Sequence, residues 1–307
     1  MRYRQFAPLG RELSCLVLGT AGYELAPLDA STELLDAFLD LGGNVIDTAR
    51  QYGNAEAIVG RRLRDRGGRE EIVLATKGTH YDVATGRKRV TPEEITADLE
   101  ESLATLGTSA VDIHWLHRDD PSRPVGPILE TLNEHRRAGR IQVLGASNWT
   151  VARLEEAAAY AAAHGLETFA CSSPGLSLAV AGDEPWPGCV TIHDPEALDW
   201  YGRAQLPVFA WSSQAGGFFA GVESEHVTRV YESEANRERL RRAGELGERK
   251  GCTANQVALA WVLDQPFPTY AVIGPRTVEE LRESVSALDL ELTPEEMRRL
   301  DLAEDEG

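Results

Sequence analysis

The chain has 307 residues, 42% of them hydrophobic, which is enough for a single domain over residues 1–307 with a large buried core. Its formal net charge of −18 is the opposite of the basic surplus that nucleic-acid binding requires, so we expect no nucleic-acid partner. No apolar run reaches the roughly 18 residues of a membrane span, and the N-terminus is polar. We therefore expect no membrane partner and a cytoplasmic location.

The cysteine pattern argues against a disulfide framework and against a zinc site. The cysteines lie far apart and form no C-x-x-C pair: Cys15, Cys171, Cys189 and Cys252. We expect free thiols and no bound metal.

Short apolar runs rich in strand-forming residues recur along the chain. In order, they cover residues 15–18, 44–47, 72–76, 111–116, 141–146, 168–171, 207–211 and 270–273. Most of these runs are continuous rather than alternating, which is typical of parallel strands covered on both faces. Residues 4–13 precede them and predict a short β-hairpin that turns at Pro8-Leu9-Gly10.

Amphipathic stretches with helical spacing separate the strands. They include residues 30–41, 91–106, 150–164 and 254–265. The second of them opens with Thr91 as a cap, Pro92 at the first helical position and Glu94 three residues after the cap. Helices alternating with eight strands predict an α/β fold, either a (β/α)8 TIM barrel or an open doubly wound sheet.

The segment after the first barrel strand favours the barrel. It reads Gly19-Thr20-Ala21-Gly22 rather than G-x-G-x-x-G, the sequence that opens many doubly wound sheets. We expect a (β/α)8 barrel with an N-terminal β-hairpin and an extra C-terminal helix. Residues 173–193 are expected to be irregular and to shape a ligand site, and residues 212–233 form a second long connection, after the seventh strand. Trp186, Phe218 and Phe219 suggest that its wall is partly aromatic.

Polar side chains stand at the carboxyl ends of three neighbouring strands, where barrels of this kind carry their chemistry. Asp47 ends the second strand and Tyr52 follows it, while Lys77 and His117 follow the third and fourth. Taken singly, each has an ordinary structural explanation as a helix cap, a packed aromatic, a solvated cation or a partner of a carbonyl. Their joint occurrence at one rim predicts a catalytic site.

Together these residues suit the reduction of a carbonyl to an alcohol, which needs a hydride at carbon and a proton at oxygen. Tyr52 would donate the proton, because a nearby Lys77 stabilises the phenolate and lowers the phenol's pKa. Asp47 would pair with Lys77, and His117 would orient the substrate oxygen. No side chain supplies a hydride, so a cofactor must.

The motifs around these residues resemble those of the aldo-keto reductase family. The matching segments are residues 44–53, with the Asp-to-Tyr spacing, then 75–77, 112–117, 145–148 and 272–277. The resemblance runs from about residue 4 to residue 303. It implies a reductase of small-molecule carbonyl compounds that uses NADPH, with NADH as the alternative, and that is a monomer or a small homo-oligomer.

The resemblance also implies a set of residues that hold the cofactor. They are Gly19, Thr20, Ser147, Asn148, Ser172, Trp211, Ser212, Gly217, Arg276 and Thr277. Ser147 and Asn148 would bond the nicotinamide carboxamide, and Trp211 would stack on its ring unless it is only a core aromatic. Arg276 and Thr277 would meet the 2′-phosphate of NADPH.

The chain departs from the family pattern in three places. The sixth strand reads Ser172-Ser173 where the family has a Gln, and either serine could replace it. Glu280 stands near Arg276, where a carboxylate would repel a phosphate or accept a bond from adenine. After His117 comes Arg118-Asp119-Asp120-Pro121, so the rim of the substrate pocket is unusual, and residues 80 and 81 add to it or are solvated.

Two other functions fit parts of this pattern. A redox-sensing or regulatory protein on the same barrel, similar to the potassium-channel β subunits, would bind the cofactor without turnover. A metal-dependent isomerase or hydrolase would need a cluster of His and carboxylate ligands, and only His117 and Asp47 are candidates.

Overall fold

A computed structural model describes residues 1–23 and 27–303 of the chain. The hairpin strands β1 Tyr3–Phe6 and β2 Arg11–Ser14 pair antiparallel. The remaining strands are β3 Leu16–Gly19, β4 Val45–Asp47, β5 Val73–Gly78, β6 Val111–Leu116, β7 Ile141–Ser147, β8 Cys171–Ser173, β9 Val208–Ala210 and β10 Thr269–Ile273. They close into a parallel barrel in the order β10-β3-β4-β5-β6-β7-β8-β9.

Helices follow the barrel strands and cover the outside of the sheet. They are α1 Leu28–Asp40, α2 Ala55–Arg66, α3 Pro92–Leu106, α4 Val125–Arg137, α5 Val151–His164, α6 Pro195–Ala204, α7 Glu225–Tyr231, α8 Glu234–Lys250, α9 Ala254–Leu263, α10 Val278–Ser286 and α11 Pro294–Leu300. Because β10 pairs with β3, the sheet has no free edge, and the open doubly wound alternative is wrong. The (β/α)8 barrel, the N-terminal hairpin and the C-terminal helix α11 are confirmed.

Several local expectations needed adjustment. The sixth barrel strand covers Cys171–Ser173 rather than residues 168–171, because an apolar run indicates burial and not ladder pairing. The connection over residues 212–233, to which the sequence analysis assigned no secondary structure, contains a 3-10 helix, Ala215–Ala220, and α7. Thr91 caps α3 as expected, with its hydroxyl accepting a hydrogen bond from the Glu94 backbone N–H.

The hairpin closes the amino-terminal end of the barrel. Phe6 and Leu13 are fully buried and belong to the cluster that fills the barrel interior. The Phe6 ring meets Phe209 and Tyr270 edge-on, with centroids 5.8 and 6.0 Å apart. The interior is therefore packed at this end, and a ligand can enter only from the carboxyl ends of the strands.

Strand periodicity decides which side chains reach the open end. Val45, Ala75 and Trp115 fill the barrel interior. Side chains two residues apart on a strand share a face. The next inward positions after these three are therefore residues 47, 77 and 117, and this alternation aims all three at the open end.

Candidate active site

A cavity of about 710 Å³ opens at the carboxyl ends of the barrel strands. It lies within the size range of small-molecule and cofactor sites. Most of the residues singled out from the sequence line it: Gly19, Asp47, Tyr52, Lys77, His117, Ser147, Asn148, Trp211, Ser212, Gly217 and Arg276. The structure therefore brings the proposed catalytic group and most of the proposed cofactor group to one cavity.

Asp47 and Lys77 form a buried ion pair across β4 and β5. The Lys77 ammonium donates to Asp47 Oδ2 and to the Thr48 carbonyl, the latter at 3.0 Å. Burial alone would lower the pKa of Lys77, but the charges of Asp47 and Tyr52 and their hydrogen bonds outweigh it and raise that pKa. Burial also raises the pKa of Asp47, against the opposing effect of Lys77. Lys77 is thus a fixed cation in the cavity wall.

Tyr52 lies next to this cation. The Lys77 Nζ is 5.0 Å from the centroid of the Tyr52 ring. Burial raises the pKa of Tyr52, and Lys77 acts in the opposite direction, as the sequence analysis proposed. The effect of burial is the larger of the two, so Tyr52 keeps its proton near pH 7 and can donate it.

His117 faces the Tyr52 ring edge-on, with centroids 5.6 Å apart at 84°. Burial, followed by the charges of Arg118 and Lys77, holds the pKa of His117 well below its usual range. The imidazole is therefore neutral near pH 7 and can donate one hydrogen bond. His80 packs against its other side, with centroids 4.8 Å apart.

Ser147 and Asn148 link three strands at the rim. The Ser147 hydroxyl donates to the Ser173 carbonyl at 3.0 Å. The Asn148 amide donates to the His117 carbonyl and to Ser147 Oγ, both at 3.1 Å, and accepts from the Val190 N–H at 3.0 Å. Asn148 does this with a φ of 62°, a strained conformation for a residue with a side chain. Each of the two oxygens retains one acceptor position.

Trp211 and the residues after it form the opposite wall. The Trp211 indole N–H is buried without a hydrogen-bond partner among the described residues. Ser212 has a φ of 49°, and Gly217 has a φ of 90°. A Cβ at Gly217 would lie 2.5 Å from the Val222 side chain, so only glycine fits there. Gly217 lines the cavity, and its backbone N–H donates to the Gln214 carbonyl at 2.9 Å.

Arg276 lies at the far end of the cavity and is held by Glu280. Its Nη2 and Nε donate to Glu280 Oε1 at 2.8 and 3.1 Å, and its backbone N–H donates to Oε2 at 2.7 Å. The bonds from Arg276 outweigh burial and lower the pKa of Glu280. The guanidinium expected to meet a 2′-phosphate therefore already binds a carboxylate.

Three of the residues predicted to hold the cofactor have hydroxyl groups that are engaged elsewhere in the protein. The Ser172 hydroxyl points out of the barrel and bonds Tyr201 Oη at 2.9 Å, because Ser172 has the opposite strand parity to Cys171. The Thr20 hydroxyl is buried against the Asp47 carbonyl at 3.3 Å. Thr277 caps α10 by accepting from the backbone N–H of Glu280. None of the three lines the cavity among the described residues.

Other residues of the wall were missed or left open by the sequence analysis. The missed ones come from loops or from the helices α9 and α10, where no strand-end position marks them: Cys189, Gln214, Asn255 and Glu283. Arg118, His80 and Trp186 line the cavity, as their positions at the rim suggested. Phe218 and Phe219 do not, because they pack into the core between the barrel and its helices.

Within residues 1–23 and 27–303, no group of three or more His, Cys, Asp or Glu side chains could hold a metal ion. Over the same residues, every helix is too short or too polar to span a bilayer. The site is thus built from a buried ion pair, a phenol and an imidazole, next to a long cleft.

Comparisons with known proteins agree with this geometry. The model of the aldo/keto reductase family matches residues 15–305. Norsolorinic acid reductase stcV of Emericella nidulans is 32% identical over 97% of this chain and 80% of its own length. Aldo-keto reductase YhdN of Bacillus subtilis is 26% identical over 92% of this chain and 87% of its own.

Among solved structures, a thermostable aldo-keto reductase in complex with the inhibitor epalrestat matches with a TM-score of 0.77 at 25% identity. The match covers 99% of this chain and all of that one. The chain belongs to the aldo/keto reductase family and is an oxidoreductase of that family.

Proposed function

We propose that the protein reduces the carbonyl group of an aldehyde or ketone to an alcohol with a nicotinamide cofactor. The observation that carries the proposal is the contact of the Tyr52 phenol with the buried Lys77 ammonium in the cavity wall. A proton donor, a fixed cation and a neutral imidazole can together receive a carbonyl oxygen that gains negative charge. The relatives named as reductases support the same reaction class.

The residues of the cavity fit a dinucleotide. Ser147 Oγ and Asn148 Oδ1 each keep one acceptor position, which suits the N–H groups of a carboxamide. The indole of Trp211 offers a flat face to a nicotinamide ring. The tight turn at Gly217 lines the part of the cleft where a pyrophosphate would lie, and the exposed Arg276 lies where the adenosine end would reach.

When bound, the cofactor supplies the hydride for the carbonyl carbon. The chain supplies the proton and the orientation. Tyr52 donates its phenolic proton to the carbonyl oxygen, and the Lys77 ammonium stabilises the phenolate that remains. Asp47 holds Lys77 in place, and His117 donates a hydrogen bond that orients the oxygen.

The cofactor we propose is NADPH in preference to NADH, with a small margin. A charge-assisted bond from Arg276 to the 2′-phosphate would contribute roughly 1.5–3 kcal/mol. Glu280 competes for the same guanidinium, and its side chain is 36% exposed against 72% for Arg276. The phosphate therefore has to displace a carboxylate, which removes part of that advantage.

Turnover decides between this proposal and a cofactor-binding protein without activity. The purified protein is supplied with NADPH and a neutral aromatic aldehyde, para-nitrobenzaldehyde. Consumption of the cofactor in equal amount to the alcohol formed supports a reductase. Cofactor binding without alcohol, over a panel of aldehydes, ketones and quinones, would support the redox-sensing alternative instead.

A further inference from the structure

Arg118 is a buried cation in the wall of the cavity. It directly follows His117 at the carboxyl end of β6, and only 6% of its surface is exposed. Its side chain lines the cavity together with His80, Trp186 and Cys189. Neither the proposed proton transfer nor the proposed cofactor contacts use it.

The hydrogen bonds of Arg118 go to backbone carbonyls only. Its Nε donates to the Pro187 carbonyl at 3.0 Å, and its Nη1 donates to the carbonyl of His117 at 2.8 Å. Nη2 has no hydrogen-bond acceptor among residues 1–23 and 27–303. The two carbonyls fix the plane of the guanidinium but do not neutralise its charge.

No carboxylate of the described residues forms an ion pair with Arg118, although acidic residues are close in sequence. Asp119 pairs with Arg153, and Asp120 lies near Arg123 and Lys88. In the loop over Arg118, the Glu184 carboxylate accepts from the Gly188 N–H. The neighbouring acids are therefore engaged elsewhere.

The cavity wall around Arg118 is otherwise neutral and partly aromatic. His117 and His80 have lowered pKa values, first through burial, and are neutral near pH 7. The charge of Lys77 is balanced by Asp47. The Trp186 and Trp211 rings lie 6.0 Å apart at the rim. Arg118 is thus a cation without a counter-charge, beside aromatic faces that suit a planar molecule.

The guanidinium of Arg118 also faces the ring of Tyr81, 5.9 Å from its centroid, but a ring and two carbonyls carry no counter-charge. A buried cation without a counter-charge is costly, and a bound anion relieves that cost. We propose that Arg118 is an anion subsite of the substrate pocket, and that the substrates are aromatic aldehydes or ketones that carry a carboxylate. This proposal rests on the carbonyl reduction proposed above. The guanidinium binds the carboxylate through its free N–H groups, while the aromatic walls hold the ring and the carbonyl points to Tyr52 and His117.

The test compares para-carboxybenzaldehyde with its methyl ester, which has nearly the same shape but no charge. In Arg118→Gln, we expect kcat/KM for the acid to fall about 10- to 100-fold, mainly through KM, as the loss of one charge-assisted bond implies. The value for the ester should change by less than about threefold. Arg118→Lys keeps the positive charge but lacks the paired N–H donors of a guanidinium. It should therefore recover part of the loss in kcat/KM for the acid.

Arg229 provides the matched control. It anchors the same loop from outside through the carbonyls of Glu184 and Pro185, and it does not line the cavity. Arg229→Gln also removes a positive charge and loosens the same loop. The ratio of kcat/KM for the acid to kcat/KM for the ester should therefore stay within about twofold of the wild-type ratio. Equal losses of kcat/KM for acid and ester in Arg118→Gln would overturn the proposal. They would mean that Arg118 only holds the loop in place through the Pro187 carbonyl.

Binding of benzoate, followed by titration calorimetry, separates this proposal from the proposed reaction. In one outcome, the wild type reduces neither aldehyde, but benzoate binds to it and binds more weakly to Arg118→Gln. That result would support the anion subsite and contradict the proposed reductase activity. If both aldehydes are reduced and benzoate binds equally to wild type and Arg118→Gln, the reductase stands and the subsite is wrong.

Discussion

Opposing effects act on the phenol of Tyr52. Burial disfavours the phenolate, while the Lys77 ammonium favours it. The ammonium itself keeps its proton because Asp47 lies against it in the same buried site. The proton on Tyr52 is therefore controlled by residues on two strands.

Replacing Lys77 with Met leaves Asp47 buried without its partner. We expect a loss of about 3–5 kcal/mol in the free energy of unfolding near neutral pH. Burial already raises the pKa of Asp47, and without Lys77 that pKa rises further. A carboxyl group with a raised folded-state pKa is stabilising below its unfolded pKa and loses this contribution as pH rises through the folded value. The deficit should therefore be larger at about pH 8 than at about pH 5.

Urea unfolding at both pH values measures this deficit. The matched control is the double variant Asp47→Asn, Lys77→Met, which buries no charge and should recover much of the stability. A single variant as stable as the wild type at every pH would mean that the pair does not contribute to stability.

Glu280 tunes the cofactor preference by holding Arg276. Glu280→Gln removes the competing carboxylate, so the ratio of the NADH to the NADPH dissociation constant should rise by about tenfold, the equivalent of roughly 1.4 kcal/mol. Fluorescence titration of each cofactor measures the ratio. Glu279→Gln removes a charge from the same helix, α10, at a residue that does not line the cavity and does not pair with Arg276. A similar shift in both variants would exclude a specific effect of the Arg276–Glu280 pair.

Strand β6 and the residue after it place side chains both in the buried core and in the cavity. His117 follows its carboxyl end on the inward face, while His114 points outward into the layer between barrel and helices, fully buried. Neither ring nitrogen of His114 has a hydrogen-bond partner among the described residues. Burial, the largest cause, lowers the pKa of His114 to about 4.

This burial couples the stability of the β6 region to pH. As pH falls below about 6.5, the unfolded chain takes up a proton at His114 and the folded protein does not, so stability is lost. Between about pH 7.5 and pH 5, the burial of His114 should lower the free energy of unfolding by about 2 kcal/mol. His114→Leu lacks this contribution, and the other histidines cancel in the comparison. Urea unfolding of wild type and variant at the two pH values measures it, and an equal loss in both proteins would contradict the assignment.

The strand pattern was readable from the sequence because each barrel strand is buried on both faces. The bounds of β6 match the apolar run at residues 111–116. The strand predicted from the apolar run at residues 168–171 is misplaced because Phe169 is buried without belonging to the strand, which starts at Cys171. The helix α7 was not predicted because it is short and lies in a long connection to which the sequence analysis assigned no secondary structure.

Closure of the barrel brings distant residues to one cavity, and only part of that convergence can be anticipated. Asp47, Lys77 and His117 were predictable because strand ends in a barrel share one rim. The orientation of Ser172 depends on the register of a strand only three residues long. The unpaired state of Arg118 depends on where Asp119 and Glu184 find other partners. Such competition between charges is set by tertiary contacts rather than by spacing.

The central claim is that this cavity transfers a proton from Tyr52 to a carbonyl oxygen while a bound nicotinamide cofactor is consumed. The most direct test is single-turnover reduction of para-nitrobenzaldehyde by Tyr52→Phe and wild type, each saturated with NADPH. We predict that the variant binds NADPH within about threefold of wild type but reduces the aldehyde at least about 100-fold more slowly, the scale of losing a general acid. Reduction by the variant at a rate near that of wild type, with the cofactor bound equally, would contradict the account.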